Sequence, residues 1–152
     1  MTDVVHVYPV EIDWLRGREG FVTSAEGLPG FRVGSPPEFG GRPGIWTPEH
    51  LLVGAVASCF MTTFLAVAEL SHVEIVDLAV PAEGTLVRGE DRRYRFERVV
   101  LTPRVELARE ADRAKAERLV EKAEAACLVT RSLSAEVVVE PVIEVAPVEA
   151  VV

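Results

Sequence analysis

The chain has 152 residues and a mass of 16.6 kDa, 49% of it hydrophobic, with 24 acidic against 16 basic side chains for a formal charge of −8. This length and apolar content fit one domain over residues 1–152 with a sizeable core, and they exclude a disordered chain. The acidic balance argues against nucleic acid and against an anionic membrane surface as partners, because both select a basic face.

Two cysteines, Cys59 and Cys127, are too few for a disulfide-stapled secreted fold or a structural zinc site. The opening Met1–Val10 contains Asp3, His6 and Pro9 and lacks a basic stretch leading into an apolar run, so it does not read as a signal peptide. The longest apolar candidate, Leu51–Val67, contains Ser58, Thr62 and Thr63 and falls about one turn short of a membrane span. The expectation is a cytoplasmic protein whose cysteines stay reduced unless redox chemistry is their role. Asn and Gln are absent, and only Lys115 and Lys122 among the bases are lysine. Loss of thermolabile amides accompanies heat adaptation, and a GC-rich coding sequence equally favours Arg over Lys.

In chain order, Val4–Trp14 interleaves Val, Ile and Tyr with polar residues and predicts a strand. Arg16–Gly20 predicts a tight turn, Phe21–Ala25 the return strand, and Phe31–Gly34 a further short strand. Ser35–Gly44 holds three prolines and three glycines, which predicts a loop. Thr47-Pro48-Glu49 predicts a helix start, with an N-cap hydroxyl, a proline in the first turn and an acid at the positive end of the dipole. The helix runs to about Ser71 and is apolar nearly all round, which predicts burial on most sides. Val73–Val87 and Tyr94–Leu107 read as a long β-hairpin about the charged turn Arg88–Arg93. Ala108–Cys127 reads as an amphipathic helix with the stripe Ala108, Ala111, Ala116, Leu119, Val120, Ala123 and Cys127. Ser134–Val145 reads as a last strand. The order strands, helix, strands, helix, strand is α+β, without βαβ alternation or repeats.

Chemistry-bearing candidates are few. Cys59 lies mid-helix and Cys127 ends the second helix. Each is explained by burial as a small hydrophobe, or the two form a dithiol in which one attacks and the other resolves. The second reading needs Cα atoms within ~5–6 Å and a group such as an arginine that favours thiolate, since an unassisted buried thiol is inert. Glu49 is explained as a dipole-complementing acid. It precedes Cys59 by ten positions, ~15 Å of straight helix. If both serve one site, either the helix bends at Gly54 or the site is shared across a two-fold dimer. The three histidines show no metal-ligand spacing, and no nucleotide-binding glycine motif or GxSxG elbow is present. Arg92–Arg95 reads as a solvated basic turn.

The segment from Thr47-Pro48-Glu49 through Ala57-Ser58-Cys59-Phe60 closely resembles the central helix of the OsmC/Ohr family, which carries its peroxide-reactive cysteine there. Glu124–Thr130 resembles the helix end that bears the family's second cysteine, and Gly17-Arg18-Glu19-Gly20 resembles its arginine turn. The likeness extends over roughly residues 5–145. It departs after the second cysteine, where the family usually has proline and this chain has Leu128-Val129-Thr130.

The resemblance implies an intertwined α+β homodimer with strands packed around a buried central helix, and thiol-dependent reduction of peroxides, mainly organic hydroperoxides. By position, Cys59 is the peroxidatic thiol and Cys127 the resolving one. Arg18 stabilises the thiolate and polarises the peroxide, ahead of Arg16 and Arg42 as candidates for that role, and Glu49 orients it. No cofactor or metal is implied, and an external dithiol such as a dihydrolipoyl group is the reductant. Two other readings stand beside it: a non-catalytic dimer of the same fold that binds a small apolar ligand, and a purely structural dimer with core cysteines.

Overall fold

The computed structural model describes residues 2–148. They divide into two compact units, one through Leu51 and one from Leu52.

In the first unit, β1 (Glu11–Arg16), β2 (Glu19–Thr23) and β3 (Phe31–Gly34) form an antiparallel meander in the order β1-β2-β3. Gly17 turns β1 into β2 with φ +50°, a left-handed conformation that glycine adopts without Cβ strain. β1 begins at Glu11 rather than Val4. A strand exists only where it has a partner, and β2, its one neighbour, ends at Thr23 opposite Glu11. The Pro/Gly-rich loop contains a single 3-10 turn, Pro37–Phe39, and returns to the sheet through a Gly34 N–H donating to the Trp46 carbonyl at 2.9 Å.

Helix α1 (Pro48–Leu70) starts and stops within a residue of expectation. The Thr47 hydroxyl accepts the His50 N–H at 3.1 Å, an N-cap bond that satisfies one of the helix's orphan donors. Gly54 does not interrupt it. Two expectations about this helix are corrected. First, its 23 residues, with a mean hydropathy of 2.1 in the most apolar window, make it long and apolar enough to cross a membrane by length and composition. The hydroxyls thought to shorten it donate back to helix carbonyls, Ser58 to Ala55 and Thr62 to Ser58 and Cys59, and so hide their polarity. Second, the described chain buries one stripe of it, Val56, Phe60, Phe64 and Ala68, while Leu65 and Leu70 are exposed. The helix packs against one sheet face and one helix, and these cover a single side of a cylinder.

The rest of the second unit is a sheet with a crease. The two arms of the predicted hairpin and the last strand are each broken in two: β4 (Ile75–Ala79) and β5 (Ala82–Arg88), β6 (Tyr94–Leu101) and β7 (Arg104–Leu107), β8 (Glu136–Val139) and β9 (Val142–Val145). β4, β7 and β9 form one ladder and β5, β6 and β8 another. Every break holds a proline: Pro81, Pro103 and Pro141. Proline cannot donate to a ladder, so three prolines side by side end the pairing on one line. Their carbonyls still accept, Pro81 from the Thr102 N–H at 2.9 Å and Pro103 from the Val142 N–H at 2.8 Å.

Helix α2 (Arg113–Ala126) follows a 3-10 turn at Glu110–Asp112 and buries Ala116, Leu119, Val120 and Ala123. It starts five residues later than expected, and Ala111 is exposed. These residues, the α1 stripe and Val99, Leu101, Val105 and Leu107 of the sheet form one hydrophobic cluster. Within it the Phe60 and Phe64 rings stack at 5.9 Å with 7° between their planes. Phe64 is fully buried, so Phe64→Ala is expected to cost about 3–5 kcal/mol of unfolding free energy. Denaturant titration checks this, and a loss below about 1 kcal/mol would show that the site collapses freely onto the smaller side chain.

Candidate functional site

The dithiol lies wholly in the second unit. Cys59 is on α1, and Cys127 closes α2 in an extended conformation (φ −64°, ψ 108°) before the short helix α3 (Leu128–Arg131). Cys127 belongs to the stripe that faces the core and is 1% exposed, whereas Cys59 is partly exposed. Both are free thiols.

The two side chains are hydrogen-bonded to each other, although 68 residues separate them in sequence. Burial by itself pushes the Cys59 thiol up. The Val129 N–H, the Cys127 thiol, the Thr63 hydroxyl and the Leu128 N–H all donate to it, and together they hold it below its ordinary value of 9.0. Hydrogen bonds to a charged form favour that form, so these donors act in the direction of the Cys59 thiolate. Within this unit, donors do what the sequence reading assigned to an arginine. The Leu128 N–H is available because this chain lacks the proline common at that position, since proline has no N–H. The Thr130 hydroxyl in turn donates to the Cys127 sulfur at 3.3 Å.

The arginine turn and Glu49 belong to the first unit. The three candidate arginines are held differently. Arg42 forks onto Glu19 with contacts of 2.9 and 3.2 Å, and its guanidinium holds the Glu19 carboxyl below the usual carboxylate value. Arg16 lies 3.7 Å from the same carboxylate. Arg18 instead donates to the Phe39 carbonyl and forms no ion pair among the described residues. Its charge is therefore the one not neutralised. Gly40 makes room for it: with φ +82°, a Cβ there would lie 2.7 Å from a guanidinium nitrogen of Arg18. Arg18 lines an open cavity of about 350 Å³ with Ile12, Trp14, Val33 and Pro48 among its walls. Glu49 sits in the first turn of α1, and its Oε2 is buried with no hydrogen-bond partner among the described residues. A buried carboxylate oxygen without a donor is costly, which sets Glu49 apart from an ordinary solvated first-turn acid.

The sequence reading missed Thr63, Thr130 and the Leu128 and Val129 amides. Spacing could have found the hydroxyls. Thr63 is four residues beyond Cys59 on one helix face, and Thr130 lies one short turn beyond Cys127. Among the described residues no group of three or more His, Cys, Asp and Glu side chains is arranged to hold a metal ion.

A dithiol formed where the end of α2 meets the middle of α1, in an α+β chain with a long apolar helix and a creased three-stranded sheet, defines the class. The model of the OsmC-like protein family matches residues 41–142, and the chain belongs to that family. The match covers both cysteines and Glu49; the Gly17–Gly20 turn lies outside it. The chain is 30% identical over 136 residues, 87% of its length and 89% of the relative's, to the uncharacterized protein YmaD of Bacillus subtilis. Its structure is similar to an OsmC-like protein of unknown function from Vibrio cholerae, with a TM-score of 0.82 and 21% identity over 91% of this chain and all of the other. It is also similar to an organic hydroperoxide resistance protein from Elizabethkingia anophelis, with a TM-score of 0.74 and 20% identity over 95% of this chain and all of the other.

Proposed function

We propose that this protein is a thiol-dependent peroxidase that reduces organic hydroperoxides. One observation carries the proposal: two cysteines 68 residues apart in sequence are brought within hydrogen-bonding reach of each other, with the Thr63 hydroxyl and the Leu128 and Val129 amides beside Cys59. A core cysteine needs no such set of donors, and a peroxidatic–resolving pair needs both the thiolate and the second sulfur in contact.

The Cys59 thiolate attacks the distal oxygen of the hydroperoxide. The O–O bond breaks, the alkoxide leaves and takes a proton as the alcohol, and Cys59 becomes a sulfenic acid. The Cys127 sulfur attacks that sulfur and expels hydroxide, which leaves as water with the Cys127 proton. An external dithiol reduces the resulting disulfide by exchange. We assign Arg18 to polarise the peroxide and Glu49 to orient Arg18, although among the described residues Arg18 donates to the Phe39 carbonyl and the buried Glu49 Oε2 has no donor, so that pairing belongs to the assembled site. Ten residues of unbroken helix separate Glu49 from Cys59, and the single chain leaves much of α1 partly open. Both features support a homodimer in which one copy's Arg18 and Glu49 complete the other copy's dithiol. This chemistry belongs in a reducing compartment such as the cytoplasm.

A second reading, a non-catalytic dimer that holds a small apolar ligand, has the cavity beside Arg18 in its favour. Thiol-dependent consumption assays with cumene hydroperoxide and hydrogen peroxide decide between the two. The peroxidase reading expects sustained turnover with dihydrolipoamide or dithiothreitol, and a larger second-order rate for the organic substrate, whose tail the partly exposed Met61 beside Cys59 suits; Val56, Phe60 and Phe64, read from the sequence as further apolar contacts, are taken up by the core. No turnover with either peroxide would leave the binding reading, and a faster rate with hydrogen peroxide would overturn the organic preference.

A further inference from the structure

Two threonines bracket the dithiol, one on each sulfur, and neither belongs to the mechanism above. Cys59 has the Thr63 hydroxyl among its donors, and the Thr130 hydroxyl donates to the Cys127 sulfur at 3.3 Å. The Thr130 bond matters because of where the second sulfur sits. Cys127 is 1% exposed, so water does not solvate it, and disulfide closure requires this sulfur to shed its proton. Losing a hydroxyl donor to a buried sulfur exposes the developing charge to a desolvation penalty.

We propose that Thr130 is a positioning residue for the resolving step: its hydroxyl holds the Cys127 sulfur in line with Cys59 and stabilises the negative charge it develops as the disulfide closes. The proposal rests on the peroxidatic–resolving reading of the two cysteines. The local fold supports it. Cys127 breaks the helix with ψ 108°, and α3 then winds back so that the Arg131 N–H donates to the Cys127 carbonyl at 3.2 Å. That single turn sets the residue three beyond Cys127 over its sulfur. The hydroxyl donates to Cys127 while the Cys127 S–H donates to Cys59, so proton and lone pair on the resolving sulfur each have a partner. In closure the S–O bond of the sulfenic acid breaks and the S–S bond forms. The Cys127 thiol is oxidised, the Cys59 sulfenic acid is reduced, and the Cys127 proton leaves with hydroxide as water. Throughout, Thr130 keeps its own proton and strengthens its bond as charge builds on the sulfur.

The test uses the full chain as wild type, Thr130→Val and Thr130→Ser. Valine keeps the shape and removes the hydroxyl; serine keeps the hydroxyl and removes the methyl. Single-turnover mixing with cumene hydroperoxide and no reductant separates sulfenic acid formation, second order in peroxide, from closure, which is first order. Thr130→Val is expected to slow closure about tenfold, the size of one hydrogen bond to a charged group, and to leave the first step within about twofold; Thr130→Ser is expected to restore closure to within about threefold. Wild-type closure in Thr130→Val would overturn the proposal. So would a serine variant as slow as the valine one, since packing by the methyl would then explain the loss.

A second arm needs no peroxide. With dithionitrobenzoate, a mixed disulfide forms on the partly exposed Cys59, and attack by Cys127 releases a second yellow thiolate. The same ranking of variants is expected, and equal second-phase rates overturn the proposal. If the wild type ignores peroxides but ranks its variants this way, the peroxidase reading fails and the role of Thr130 stands.

Discussion

Cys59→Ser is expected to abolish thiol-dependent peroxide consumption, lowering kcat/KM by about three orders of magnitude or more, as loss of a nucleophile does when no neighbour replaces it. Serine fits the same space and accepts the same bonds from Val129, Leu128, Thr63 and Cys127, so fold and binding survive while the polarisable thiolate is lost. The wild-type rate also has a predictable pH dependence. Only the thiolate attacks, so the rate rises with pH through the folded-state Cys59 value and then levels. Because that value is lowered from 9.0, the midpoint falls below that of a free thiol. The same lowering adds stability that is fully present above the unfolded thiol's value and lost as pH falls through the folded one. Equal consumption by wild type and Cys59→Ser would sink the mechanism, and a midpoint at or above 9 would remove the donor set as its cause.

Cys127→Ser should behave differently, because it removes the second sulfur and not the first. The serine hydroxyl can still donate to Cys59, so sulfenic acid formation should stay within about threefold of wild type. Closure is then impossible. In the absence of reductant, about one alcohol per chain should form, and dimedone should capture Cys59 as a stable adduct. On longer exposure to peroxide, over-oxidation to sulfinic acid should appear in this variant well before it does in the wild type. Wild-type steady-state turnover in Cys127→Ser would show that an external thiol resolves Cys59 directly and that the buried sulfur has a packing role.

Much of this arrangement was legible in the residues. The start of α1 was readable because Thr47, Pro48 and Glu49 each satisfy a different demand of a helix N-terminus. The three long extended segments were readable from their Val-rich alternation. The crease was not, although Pro81, Pro103 and Pro141 were in plain view. One proline in a strand signals an edge or a break, and only the pairing shows that the three lie abreast. The strand expected from Val4 failed for a related reason, since alternation marks a segment able to pair and says nothing about whether a partner extends that far. The cysteine contact is not decided by the sequence, because it depends on α2 ending beside the middle of α1. The amides beside Cys59 left no mark in the sequence, because every residue except proline carries one and no motif advertises it. Leu128 mattered for what it is not.

The proposed peroxidase reading of the two neighbouring sulfurs requires one disulfide, so its formation is the most direct test. The full chain is reduced, freed of reductant and mixed with an equivalent of cumene hydroperoxide. Alkylation, proteolysis and mass spectrometry then report the state of both cysteines. The account predicts an intrachain Cys59–Cys127 crosslink with loss of both free thiols. Both thiols surviving with the peroxide unconsumed, or oxidation halting at Cys59 while Cys127 stays alkylatable, would contradict it.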